Sequence, residues 1–144
     1  MITTKKYSFQ SRDGVTIHGI CMIPERPIAI LQMVHGMNEH KDRYLPFMEE
    51  MAGKGYITLM HDNCGHGESV KEPSDIGYCY ASMEQGMVAD VYEAARRIRK
   101  KYPELPLILY GHSMGSLIVR AYLKKHDDMM DGLILSGCPS YVDG

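Results

Sequence analysis

The apolar run Leu105-Pro106-Leu107-Ile108-Leu109-Tyr110 stops at Gly111, and after His112-Ser113-Met114-Gly115 a second apolar stretch begins with helical spacing. That pattern predicts a strand, a sharp turn and a helix running to about Lys125. Upstream, Lys6 to Gln10 alternates weakly, Asp13-Gly14 supplies a turn, and Val15, Ile17, Gly19, Cys21 and Ile23 fall on one face with period two, which predicts an antiparallel hairpin. Ile28 to Val34 is almost wholly apolar, as a strand covered on both faces of a parallel sheet must be. Tyr44, Phe47, Met48 and Met51 then repeat at i, i+3, i+4 and i+7, a helix stopped by Gly53 and Gly55, and Tyr56 to Met60 reads as the next strand.

Ser82 with Gln85 forms a capping box for a long helix whose buried stripe is Met83, Met87, Val91, Ala94 or Ala95, Ile98 and Tyr102, ended by Pro103. Asp131-Gly132 turns the chain into Leu133 to Gly137, a short strand expected to be buried. Strands alternating with helices in this way predict an α/β fold, a mostly parallel sheet of about six strands with helices on both faces, in one domain or part of one.

Composition changes this picture little. The 144 residues, 44% apolar and 24% charged, suit one globular domain, and a net charge of −2 gives no electrostatic case for nucleic acid. The basic run Arg96-Arg97-Ile98-Arg99-Lys100-Lys101 alternates around a helix and reads as a solvated face. Met1 to Lys6 is polar, with no apolar leader segment behind it, and no stretch reaches the ~18 apolar residues of a transmembrane helix. Cys21, Cys64, Cys79 and Cys138 show no paired spacing, so reduced thiols and a cytoplasmic location are expected.

The candidate chemistry lies in the turn. Gly111-His112-Ser113-Met114-Gly115 is a G-x-S-x-G motif, which between a strand and a helix holds the serine out at the strand's end as a nucleophile. One oxyanion donor would be the amide of Met114, and the second the amide of Met37 in the His35-Gly36-Met37 loop. His35 reads as a residue that fixes that loop, and His112 as pointing back into the sheet. His126 lies thirteen positions along a helix from Ser113, about 20 Å at ~1.5 Å per residue, too far to act as its base. Asp127, Asp128 and Asp131 read as solvated turn residues at the other end of the last strand. His61, Cys64 and His66 are zinc-type ligands in a spacing of no common zinc module, and no phosphate loop or dinucleotide fingerprint occurs, so no cofactor or metal is expected.

Three motifs, HGMNEHKDRY at His35 to Tyr44, HDNCGHGES at His61 to Ser69 and GHSMG at Gly111 to Gly115, resemble the α/β-hydrolase superfamily, and within it the monoacylglycerol lipase and lysophospholipase group catalogued with serine aminopeptidases. The resemblance covers the whole chain but only the first half of the family's domain. It implies a serine hydrolase of carboxylic esters acting on a lipid or other small ester. It also implies that the triad Asp and His, and a substrate-selecting cap, would follow the strand ending at Gly137, where this chain has no counterpart. The alternative is a non-catalytic product or split subunit that binds apolar ligands, a C-terminal half or its own copy through an open strand edge near Leu133 to Ser136.

Overall fold

A computed structural model describes residues 1–11, 14–36, 39–70, 72, 79 and 84–137. Six strands, β1 (Ile2–Gln10), β2 (Thr16–Pro24), β3 (Ala29–Val34), β4 (Tyr56–His61), β5 (Leu107–His112) and β6 (Gly132–Ser136), form one sheet in the order β1-β2-β4-β3-β5-β6. β1 pairs antiparallel with β2, and β2 antiparallel with β4, whereas β4, β3, β5 and β6 run parallel to their neighbours. The expected architecture is therefore the one found: an antiparallel hairpin laid on a parallel sheet.

Three helices, α1 (Leu45–Gly53), α2 (Ala89–Lys101) and α3 (Met114–His126), cover that sheet. Two separate apolar cores divide them. Ile30, Ile57, Leu107 and Leu109 pack with Val91, Ala95, Ile118 and Val119 of α2 and α3, while Leu31, Met33 and Met60 pack with Met48 and Ala52 of α1. All six residues of β3 are buried, so side chains pointing to either face find a core, which is why its sequence is apolar except for Gln32, whose side-chain amide donates to Val91 O at 3.0 Å.

Several expectations change on this scaffold. Phe47, placed on the buried stripe of α1, is 42% exposed, because the side of the helix that meets the sheet is the one carrying Met48 and Ala52, with Leu45 and Met51 partly buried beside them. Gly55, with φ of 102°, takes the left-handed position that ends α1. Ser82 and Met83 lie outside the described residues. The helix is seen from a π-helical turn at Glu84–Val88, and both Ala94 and Ala95 are buried in it. Leu133, Ile134 and Leu135, expected to be buried, are 40%, 47% and 37% exposed, since β6 is an edge strand with no described element across its faces. Asp131 is more than a solvated turn residue: its carboxylate accepts the Leu107 amide at 2.9 Å, fixing the start of β5.

The reading of the cysteines as reduced thiols is overturned for two of them. Cys64 and Cys79 form a disulfide, closing a fifteen-residue separation that no local spacing announces, while Cys21 is a buried free thiol and Cys138 lies outside the described residues. No described helix is long and apolar enough to cross a membrane.

Candidate functional site

The loops that follow β3, β4 and β5 leave the sheet at the same end, the C-terminal ends of three parallel strands, where open α/β sheets hold their sites. The β5 loop is the shortest. Strand β5 ends at His112, helix α3 starts at Met114, and Ser113 alone makes the turn, with φ 54° and ψ −116°. Among the described residues it is the one non-glycine with positive φ. Such backbone costs on the order of 1–3 kcal/mol and persists only where the surroundings over-determine it.

Those surroundings are visible. The Ser113 amide donates to Ser136 O at 2.9 Å, and the Ser116 amide and hydroxyl both donate to Ser113 O. The flanking glycines are required by close approach. A Cβ on Gly115 would lie 2.1 Å from Val34 O, and one on Gly111 would lie 2.6 Å from Gly115 O. His112 does not point simply back into the sheet; its Nδ1 shares a 3.1 Å hydrogen bond with Ser136 Oγ on the neighbouring strand. Met114 occupies the first helical position, where an amide has no intrahelical acceptor.

The β3 loop backs onto this turn. A Cβ on Gly36 would come within 3.1 Å of Ser113 Cβ, 3.1 Å of His112 O and 2.8 Å of Glu39 Oε1, so any side chain there must displace its neighbours. Met37 lies outside the described residues. Around it the loop is held from both sides. The Gly36 amide donates to Glu39 Oε1 at 2.7 Å, and Tyr44 Oη donates to the same oxygen at 2.8 Å. Burial works to raise the Glu39 carboxyl, but these two bonds outweigh it and hold the group below the usual carboxylate range.

His35 is fully buried, and both ring nitrogens are occupied. Nε2 accepts the Asn63 amide at 2.9 Å, which puts the proton on Nδ1, from where it is donated to Gly36 O at 2.8 Å. Asn63 returns its side-chain amide to His35 O at 3.1 Å. Desolvation lowers the pKa of His35, so the ring is a neutral strut between two loops.

A second clamp was not foreseen from the sequence. Lys41, 1% exposed, donates its backbone amide to Asp62 Oδ1 at 2.7 Å and its ammonium to Asp62 Oδ2 at 3.0 Å and to Glu68. The Glu68 amide completes the set at 2.9 Å from Asp62 Oδ2. Burial pushes the Asp62 carboxyl up, but the two amides and the ammonium win, holding it below its ordinary range. Gly67, with φ 49°, leaves room for that carboxylate, since a Cβ would sit 2.4 Å from it. The signal was present in HKD and HDN, but the partners are 21 residues apart, beyond any local pattern.

The zinc-type trio does not assemble. Cys64 is in a disulfide, His66 Nδ1 bonds Cys64 O at 3.0 Å, and among the described residues no group of three such side chains could hold a metal ion. Also among the described residues, no hydrogen bond joins Ser113 Oγ to a histidine. His126, at the far end of α3, stacks on Tyr92 with ring centroids 4.1 Å apart.

Residues 25–143 match the family model described as serine aminopeptidase, S33. Monoglyceride lipase of Mus musculus is 32% identical over 109 residues, which are 76% of this chain and 34% of that protein. Phospholipase YtpA of Bacillus subtilis is 30% identical over 78% of the chain and 41% of its own length. Among solved structures, a thermostable carboxyl esterase from Bacillus coagulans in complex with glycerol superposes with a TM-score of 0.83 at 31% identity, over 92% of this chain and 44% of that one. A soluble variant of the Saccharomyces cerevisiae monoglyceride lipase, at 21% identity and TM-score 0.74, shares the fold. The chain thus spans about a third to under a half of the length of these relatives.

Proposed function

The chain belongs to the serine aminopeptidase S33 family of α/β hydrolases, and from that membership we propose that it is the N-terminal part of a serine hydrolase of carboxylic esters, with Ser113 as its nucleophile. The observation that carries this is the strained backbone of Ser113, held between β5 and α3 with Gly36 packed against its Cβ. Strain of this kind, enforced by close-packed glycines on either side, presents a side chain where a substrate can reach it.

In the proposed reaction Ser113 Oγ attacks the ester carbonyl carbon while its proton passes to a base. The carbonyl oxygen takes the negative charge between the Met114 and Met37 amides, the alcohol leaves with a proton, and water then hydrolyses the acyl-serine. The His35 strut and the Lys41–Asp62 clamp would serve by fixing the loop that carries Met37. Base and acid are to be supplied from outside residues 1–144, as the order Ser, Asp, His in such folds requires. Monoacylglycerol-type esters are the proposed substrates by likeness to monoglyceride lipase, and lysophospholipid-type esters by the resemblance of the three sequence motifs.

A second reading, a subunit that binds a partner chain without chemistry, is favoured by one feature, the uncovered apolar strand β6. Hydrolysis of a short p-nitrophenyl ester separates the two. The chain alone is expected to turn over feebly, because a nucleophile without its base keeps only ~10³ to 10⁴-fold over water. A mixture with the C-terminal half of a related full-length enzyme is expected to show turnover that Ser113→Ala abolishes. Absence of Ser113-dependent turnover in the mixture, when the two halves associate, would leave the second reading standing.

A further inference from the structure

Between β1, β2 and the C-terminal half of α2 lies a cavity of about 210 Å³, formed by residues of neither the β5–α3 turn nor the His35–Gly36 loop. Its floor is apolar, made by Cys21, Ile23, Leu59, Ala94 and Ile98. Its rim is cationic. Lys5, Arg97 and Lys101 surround it, Lys6 lines it by its backbone with its side chain on the other face of β1, and no carboxylate lines it. Arg97 is already engaged, pairing with Glu93 Oε1 at 2.9 Å and lying over the Phe9 ring. Lys5, Lys6 and Lys101 make no salt bridge among the described residues, although Glu68 lies near enough to Lys6 to feel its charge. Burial pushes the Cys21 thiol up to about 11, and the Lys101 and Lys5 ammoniums are the charges that pull against it.

A surface that gathers positive charge around an apolar hole is unfavourable by itself, since the ammoniums repel each other and the floor stays wetted. One chemistry answers both costs: an alkyl chain for the floor and an anionic head for the rim. We propose that this cavity binds a medium-chain anionic amphiphile, its tail on Ile23, Leu59 and Ile98 and its carboxylate or phosphate monoester head between Lys5 and Lys101. The volume sets the length. An apolar cavity of about 150 Å³ in another protein accepts benzene, so roughly six to eight carbons fill this one. Each methylene buried before that limit strengthens binding about fourfold, and those beyond it add little.

The test is amide chemical-shift titration of the ¹⁵N-labelled protein with hexanoate, octanoate and dodecanoate, with octyl phosphate as the second head group and octanol as the uncharged control. Saturable shifts are expected at Lys5 to Tyr7, Cys21 to Ile23 and Ala94 to Lys101, tightening about fifteenfold from hexanoate to octanoate and levelling off by dodecanoate. Comparison of octanoate with octyl phosphate assigns the head, either one supporting the site. Lys5→Gln combined with Lys101→Gln, both exposed positions, is expected to weaken anion binding at least fivefold and leave octanol unchanged, while Ile23→Trp fills the floor and abolishes binding. Ser113→Ala is expected to leave all of it unaltered, so the outcome is independent of the hydrolase reading. Octanol binding as tightly as both anions, an unchanged affinity in the double lysine variant, shifts centred on Ser113, or no saturation at millimolar concentration would each overturn the proposal.

Discussion

His61 ends β4 with its ring buried, its Nε2 without a hydrogen-bond partner among the described residues, and Phe9 edge-on at 5.9 Å. Burial, reinforced by nearby His35, pulls its pKa down to about 4 from an ordinary value near 6.5. The unfolded chain therefore binds a proton between these limits that the folded chain refuses. The stability this group contributes is whole above about pH 6.5 and is lost as pH falls toward 4, by up to on the order of 3 kcal/mol. His35, also lowered by burial, adds loss in the same direction. Urea midpoints taken from pH 7.5 down to 4.5 should fall steeply for the protein and less steeply for His61→Gln, whatever that variant's stability at neutral pH. Parallel slopes would show that His61 titrates normally. At this scale the sequence was legible where geometry is local: the turn at Ser113 between two glycines announces itself within five residues. The Lys41–Asp62 clamp and the Cys64–Cys79 bond were not, because the first joins the segment after β3 to the loop after β4 and the second links residues fifteen positions apart.

Between elements, the decisive contact is the joint of β5 and α3 with the end of β3. A Cβ on Gly115 would meet two backbone carbonyls, Val34 O at 2.1 Å and His35 O at 2.9 Å. Backbone cannot rotate aside, so Gly115→Ala must push α3 off β3, at a cost at or above the ~1–3 kcal/mol usual for overpacking. Gly132→Ala is the matched comparison, since its new methyl would meet only the Ile108 side chain, at 3.4 Å and beyond. Chemical denaturation should separate the two, with Gly132→Ala within about 1 kcal/mol of the parent. Equal costs would mean that this joint has slack the packing does not show. The inner strands of the parallel sheet were readable because burial on both faces leaves a nearly unbroken apolar run, as in β3, where Gln32 is the one polar residue. Phe47 misled for the opposite reason. A helix-period pattern marks a stripe, but how wide a stripe the sheet covers depends on the docking of α1, which periodicity does not encode.

For the molecule as a whole, the two sides of the sheet differ sharply. β1 closes one edge as the outer strand of a hairpin, with a mostly exposed and polar sequence of the kind that discourages further pairing. The other edge is β6, where Leu133 and Leu135 point to one face, Ile134 points to the other, and all three are exposed. No described residue pairs with the outer side of that strand. Short apolar edges with no charge, proline or bulge are templates for another strand, so the isolated chain is expected to self-associate through β6. Sedimentation velocity across micromolar concentrations should show dimers or larger species, and Ile134→Lys, which puts a charge on the edge without touching β5 pairing, should restore the monomer. The same substitution should weaken association with a C-terminal half, since both partners would compete for one strand. A parent chain that stays monomeric at high concentration, or self-association that Ile134→Lys leaves intact, would place the sticky surface elsewhere.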